Sequence, residues 1–255
     1  MKQSKRHVAL HLHRTGSAFR ETIVVFTRLT SLIPWEEAKQ TILEEGVLQK
    51  GSRVTEIGII HEIRRRYLFA PQWLPDALHL REFLLTSIPQ RAKYQALFVY
   101  TYHADYVIQK VFRKIIIPNI TQNCELRNSI IVEYLSQLKD ETGVNWSLNT
   151  IRVWTKSLKT MLREVGFLKH DKVTKPYVQP ETFAFFLLWL FYKLRALKKV
   201  LEHRALTPLC LDDEDETYLL KKGNEKGWWY YTKGGGVIEF IPKTQNLREW
   251  IHALE

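Results

Sequence analysis

Between residues 17 and 200 the apolar side chains recur at spacings of three and four, and prolines and glycines stand where those runs begin and end. That pattern commits most of the chain to amphipathic helices. Phe19, Ile23, Phe26 and Leu29 form one stripe, with Arg20 and Arg28 outside it. Pro34-Trp35-Glu36-Glu37 opens a second helix, placing proline and acids in a first turn whose N–H groups lack partners, and Gly46 closes it. A third runs over 52–68 from Ser52 as N-cap candidate, with Ile57, Ile60, Ile63 and Tyr67 on its buried side. Pro75 begins a fourth, over 75–86. Pro89 begins an aromatic pair over 89–117, with a break near His103-Ala104 and a stop at Pro118-Asn119. Another helix covers 126–138, and the stretch from Gly143 to Asn145 ends this first unit.

Ser147 is the next N-cap candidate, and 148–165 is the most regular helix in the chain. Trp154, Leu158, Met161, Leu162 and Val165 line one side, while Arg152, Lys156, Lys159 and Arg163 recur on another. Gly166 is placed to end it in a left-handed cap, with Phe167 and Leu168 folding back. A short basic loop follows, then Pro180 starts a helix rich in Phe, Leu and Trp. After Leu206 the composition changes: five consecutive acids, Asp212 to Glu216, precede two strands containing Trp228-Trp229-Tyr230-Tyr231 and Val237-Ile238-Glu239-Phe240-Ile241, joined by a Gly234-Gly235-Gly236 turn. The fold class is therefore mainly α: a helical bundle over 15–143, a smaller basic, winged-helix-like helical domain over 144–206, and a C-terminal aromatic β-hairpin with a short helix over 207–255.

Catalytic signatures are absent from the sequence. There is no G-x-S-x-G turn, no P-loop and no G-x-G-x-x-G loop, and Gly234-Gly235-Gly236 reads as a hairpin turn. His11 and His13 stand two apart, which on a strand puts both imidazoles on one face, but no third ligand follows, so they read as surface or nucleic-acid-contacting residues. His103-x-Asp105 has the look of a metal pair, yet its helical, aromatic surroundings favour core packing, and His61 reads as an exposed helix residue. Cys124 and Cys210 stand alone, which excludes a disulfide framework or paired zinc motif and fits a reducing cytoplasm. The longest apolar run, ten residues over 183–192, is half of what a membrane-spanning helix needs, roughly 20. We expect no enzyme activity, cofactor, metal or membrane anchor.

Charge is the informative property. The chain carries 38 Lys+Arg against 27 Asp+Glu, a net +11, and residues 147–204 hold 12 of those cations against 4 acids. Cations at one-turn spacing on a helix face meet successive phosphates and release condensed counterions, giving affinity without sequence information. A solvated face would interleave Glu at i, i+4, and on this helix Glu164 is the only acid. The candidate contacts are Arg152, Lys156, Lys159 and Arg163, with Lys169 and Lys172 in the basic loop. Lys50, Arg53, Arg64, Arg65 and Arg66 form a second group. Three consecutive arginines point in different directions around a helix, so at least one must pair with an acid or cap the helix end. Lys2, Lys5, Arg6 and Arg14 form a candidate basic arm.

Two segments resemble a known family. Leu48-Gln49-Lys50-Gly51-Ser52-Arg53-Val54-Thr55, continuing to His61-Glu62-Ile63-Arg64-Arg65-Arg66-Tyr67-Leu68, is similar to the N-terminal signature of BrxA, the small helical component of BREX bacteriophage-exclusion systems. Leu158-Lys159-Thr160-Met161-Leu162-Arg163-Glu164-Val165-Gly166-Phe167-Leu168 resembles that family's second signature, and residues 102–111 fit its aromatic helix junction. The resemblance implies an N-terminal bundle similar to the NusB antitermination fold, a smaller helical domain, and a DNA-binding role in phage defence without known catalysis. Relatives work beside a site-specific adenine methyltransferase, a phosphatase-like protein and a large ATPase. The aromatic segment after Leu206 departs from the shorter members.

From its residues alone, 147–178 has the order of a winged-helix half: basic helix, Gly-Phe-Leu exit, basic turn. The reading is a non-enzymatic factor that binds double-stranded DNA of arbitrary sequence. Its rivals are an adaptor that docks on an acidic partner enzyme, with Trp228-Trp229-Tyr230-Tyr231 as hydrophobic anchor, and an RNA-binding NusB-like protein.

Overall fold

A computed structural model describes residues 8–28, 34–235 and 237–254, which fold mainly into helices with two small antiparallel strand pairs. Lys2, Lys5 and Arg6 of the expected arm, and Leu29 of the first stripe, lie outside the described residues. The chain makes two units, each from two stretches: Met1–Phe69 with Tyr100–Tyr177, and Ala70–Val99 with Val178–Glu255. The expected segments 15–143, 144–206 and 207–255 are each continuous, whereas these units are not.

The first unit begins with α1 (Leu12–Thr15), α2 (Phe19–Arg28), α3 (Trp35–Glu44) and α4 (Arg53–Ile63). α1 is a single helical turn where a strand carrying His11 and His13 was considered. α4 continues as a π-helical turn, Arg64–Leu68, closed by the Phe69 N–H donating to the Arg64 carbonyl at 3.3 Å. That turn buries Tyr67, which meets Phe26 edge-on, lies tilted against Tyr100 and shares a hydrogen bond with Thr101.

The chain then supplies α5 (Ala77–Leu85) to the second unit. Its N-cap is Asp76 rather than Pro75: the carboxylate accepts the Leu78 and His79 N–H groups, each at 3.0 Å. α6 (Gln90–Ala104) follows, its residues 90–99 in the second unit and 100–104 in the first. Asp105 makes the expected break by capping α7 (Tyr106–Val111), accepting the Val107 and Ile108 N–H groups at 3.0 and 3.1 Å. Another π turn, Phe112–Ile116, leads into the one-turn α8 (Ile117–Asn119). Pro118 lacks an N–H and crowds the carbonyl four residues back, and the widened turn accommodates both. α9 (Asn128–Thr142), α10 (Leu148–Val165), β1 (Leu168–Lys169) and β2 (Lys172–Val173) complete this unit around Phe19, Phe26, Tyr102, Phe112 and Trp154, all fully buried.

The second unit resumes with α11 (Pro180–Leu194), α12 (Leu197–Leu201), a 3-10 turn Arg204–Leu209, α13 (Asp213–Glu225), β3 (Trp229–Gly234), β4 (Val237–Pro242) and α14 (Leu247–His252). α11 is buried over most of its first three turns, apolar from Phe183 to Tyr192 after Glu181 and Thr182, and is the centre of the core, with Phe185 stacked on Phe83 at 4.3 Å. α13 is not among the elements the sequence predicts, where the five acids only precede the strands; the acidic run opens this helix. Asp212 and Asp215 each accept the other's backbone N–H, at 2.9 and 3.3 Å, and the remaining acids fill a first turn where the helix dipole favours them. β3 and β4 pair from Trp229↔Pro242 to Gly234↔Val237. Trp228, Trp229 and Tyr231 are buried in this unit's core and only Tyr230 of the four is half exposed, so the aromatic strand is not the surface anchor that the adaptor reading used. Among the described residues no helix is long and apolar enough to cross a membrane.

Candidate nucleic-acid interface

α9 and α10 pack together across a short connection, and the ends of α10 are set by local chemistry. Ser147 Oγ accepts the Thr150 N–H at 3.1 Å. Gly166, at φ 97°, turns left-handed so that its own N–H reaches the Leu162 carbonyl at 3.0 Å and that of Phe167 reaches the same carbonyl at 2.8 Å. The chain leaves directly into β1, pairs Leu168↔Val173 and Lys169↔Lys172, and turns through His170 and Asp171. The stretch before α9 adds to this hairpin as a further extended segment. Glu125 bridges Lys172, Leu126 N–H donates to the Asp171 carbonyl at 2.7 Å, and Val173 N–H donates to that of Cys124 at 2.9 Å. The resulting order of extended segment, helix, helix and hairpin resembles that of a winged helix-turn-helix.

Of the basic side chains expected on α10, Arg152 and Lys156 are exposed one turn apart, and neither forms an ion pair among the described residues. Lys169 and Lys172 stand opposite each other on the hairpin, both exposed. Lys159 and Arg163 have another task. Lys159 is 7% exposed, and its Nζ donates to the Leu126 carbonyl at 2.9 Å and reaches Asp171 Oδ1 at 2.8 Å. Arg163 donates to the His170 carbonyl at 3.0 Å and to Asp171 at 2.7 Å. Lys159 is therefore withdrawn from the phosphate-facing set, because the hairpin folds over its turn of the helix. The Lys159 hydrogen bond, with Arg163 beside it, holds the Asp171 carboxyl below its ordinary range.

The second basic group is largely structural. Arg66 is fully buried, its Nε 3.2 Å from Glu62 and its Nη1 donating to the Ser17 carbonyl at 2.7 Å. Arg65 donates to Glu62 and to the Ala104 carbonyl, both at 2.6 Å. His11, expected at the surface, lies 2.9 Å from Glu62. Burial alone would raise the Glu62 carboxyl, but the His11 hydrogen bond and the two guanidiniums prevail and hold it well below the usual carboxylate range. Arg64 reaches Glu36 at 3.6 Å and lies over the Phe69 ring, and Lys50 pairs with Glu21 at 2.6 Å. Arg53 is exposed at the start of α4. Arg64, Arg65 and Arg66 thus do not make one phosphate-contacting face.

The units also divide the charge. The first holds 24 Lys+Arg against 14 Asp+Glu, a net +10, and the second 14 against 13, a net +1. The cations of 147–204 are shared between them, and those after 177 are offset within their own unit by the acids that open α13. Arg127, which sequence reasoning missed, is exposed at the N-cap position of α9, beside the extended segment. Its signal is purely spatial, since nothing near it in sequence is basic. Among the described residues no group of three or more His, Cys, Asp or Glu side chains converges to hold a metal.

The model of the BrxA family matches residues 9–187, more than two thirds of the chain, and takes in the whole helix-turn-helix and its hairpin. No curated protein matches the chain significantly.

Proposed function

Because the chain belongs to the BrxA family and so to BREX phage defence, we propose that it serves there as a non-enzymatic protein that binds duplex DNA. α10 lies in the major groove, its exposed Arg152 and Lys156 meeting phosphates. Lys169 and Lys172 of the hairpin and Arg127 at the head of α9 reach the flanking backbone. The observation that carries this reading is the coincidence of one motif with one charge: the helix-turn-helix with its hairpin sits in the unit that holds +10 of the net +11. Phosphate contacts position a protein without reading bases, so binding is to duplexes of arbitrary sequence and weakens as salt rises. Catalysis in this reading belongs to the other components of the system, the methyltransferase, the phosphatase-like protein and the ATPase.

Fluorescence anisotropy with duplexes of unrelated sequence tests the proposal, with single-stranded DNA and RNA as competitors. The variant R152Q/K156Q/K169Q/K172Q keeps the buried side of α10 and the Lys159–Asp171 contact. It should lose affinity for every duplex, with a slope of log affinity against log salt shallower by about 0.9 per contact removed. Unchanged affinity and slope in a folded variant would refute the assignment, and stronger competition by RNA would move the ligand from DNA to RNA.

A further inference from the structure

Six of the second unit's 13 acids, Glu202 and the run Asp212 to Glu216, are gathered in one place. α12, the start of α13 and the tip of the β3–β4 hairpin enclose a groove of about 590 Å³, within the range of roughly 300–1,000 Å³ typical of binding pockets. Leu197, Leu201 and Ile238 supply its apolar surface, and Glu202, Asp213 and Glu216 its charged border. Ile238 is on the same face of the hairpin as the buried Phe240, but near the turn, where it is 51% exposed. A second depression, of about 440 Å³, runs along α13 past Thr217 and the half-exposed Tyr218. The two share Asp213, so the surface is elongated rather than cup-shaped.

We propose that this groove docks an amphipathic helix of a partner protein, its apolar stripe on Leu197, Leu201 and Ile238 and its flanking Lys or Arg side chains against Glu202, Asp213 and Glu216. An elongated apolar track suits side chains recurring along a helix at i, i+3/i+4 and i+7. The charge selects the partner's sign. The unit that carries the groove is nearly neutral, 14 Lys+Arg against 13 Asp+Glu, and this border is a locally acidic part of it that attracts a basic helix. Nucleic acid is disfavoured by the same carboxylates. Glu216 has no ion pair among the described residues; burial, with Asp213, Asp212, Asp215 and Glu202 around it, pushes its carboxyl up, and a partner's cation would relieve that crowding. Lys198 also borders the groove, 4.0 Å from Glu202.

The full-length protein and two labelled designed peptides of about 14 residues test this, one an amphipathic Leu/Lys helix and the other its Leu/Glu counterpart. The Leu/Lys peptide should bind with micromolar affinity that weakens as salt rises, and the Leu/Glu peptide at least tenfold more weakly. I238K places a cation on the apolar surface at a half-exposed position. It should reduce Leu/Lys binding at least tenfold while leaving the circular dichroism melt and duplex-DNA affinity unchanged. D213N/E216Q should reduce it about threefold with a shallower salt dependence. Equal binding of the two peptides, no binding of the Leu/Lys peptide, or full binding by I238K would overturn the proposal. So would a dimer in velocity sedimentation that I238K abolishes, which would make the occupant a second copy of this chain.

Discussion

Arg66 and Arg152 carry the same charge and serve opposite ends, and the difference is water. Arg66 is enclosed with Glu62 and the Ser17 carbonyl, so Arg66→Met takes one partner from Glu62, which keeps Arg65 and His11, and the side-chain donor from the Ser17 carbonyl, and should cost about 1–3 kcal/mol in chemical denaturation. Arg152→Gln, at an exposed position, should change stability by no more than about 0.5 kcal/mol while weakening duplex binding. Lys159 belongs with Arg66. Lys159→Gln removes a buried amine from the Leu126 carbonyl and from Asp171 and should cost about 1.5–3 kcal/mol. The Asp171 end of that contact has a sign in pH. Its folded-state carboxyl is depressed, so its contribution is present above the ordinary aspartate value of about 3.9 and is lost as pH falls through the depressed one. The gap in melting temperature between wild type and Asp171→Asn should therefore be constant near neutrality and close in acid. A melting gap that does not narrow as pH falls below the ordinary aspartate value would show that the carboxylate is not what anchors the hairpin.

At the scale of the element, the helix ends divide into those that neighbours in sequence determine and those that need the fold. Ser147 and Gly166 bound α10 as their residue types predict, because capping acts within four residues. The acids before α13 follow the same rule, but a run of five like charges also describes a solvated linker, and only the reciprocal Asp212–Asp215 bonds distinguish the two. Asp212→Ala should lower stability by about 1 kcal/mol. Further along α13, Gly223 is buried against the Trp229 ring, and a β-carbon there would lie inside the ring's envelope. The ring cannot yield, since it is fully buried and its Nε1 donates to the Leu220 carbonyl at 2.8 Å. Gly223→Ala should therefore destabilise by about 3 kcal/mol, read as a lowered melting temperature, although alanine is the better helix former.

Taken whole, the molecule keeps nearly all its positive excess in one of its units, and binding should follow that division. Neutralising Lys198 and Lys199 of the second unit by glutamine should leave duplex affinity and its salt slope as they are, whereas R152Q/K156Q lowers both; equal effects would mean that DNA is drawn to the whole chain rather than to the helix-turn-helix. By itself the sequence determined what acts over a few residues: the helical class, the break near His103-Ala104, the span of α10, the aromatic strand pair and the absence of catalytic loops. It also held the family's two signatures. Part of the arginine cluster was legible too, since Glu62 precedes Arg65 and Arg66 by three and four residues, one helical turn. Tertiary structure alone decided which cations remain free. Arg66 reaches Ser17 across 49 residues, Arg65 reaches Ala104 across 39, and Lys159 reaches Leu126 across 33. It likewise decided that α10 and α11 belong to different units. Helical periodicity records that a face is apolar or basic but not what covers it, because the covering segments come from distant parts of the chain.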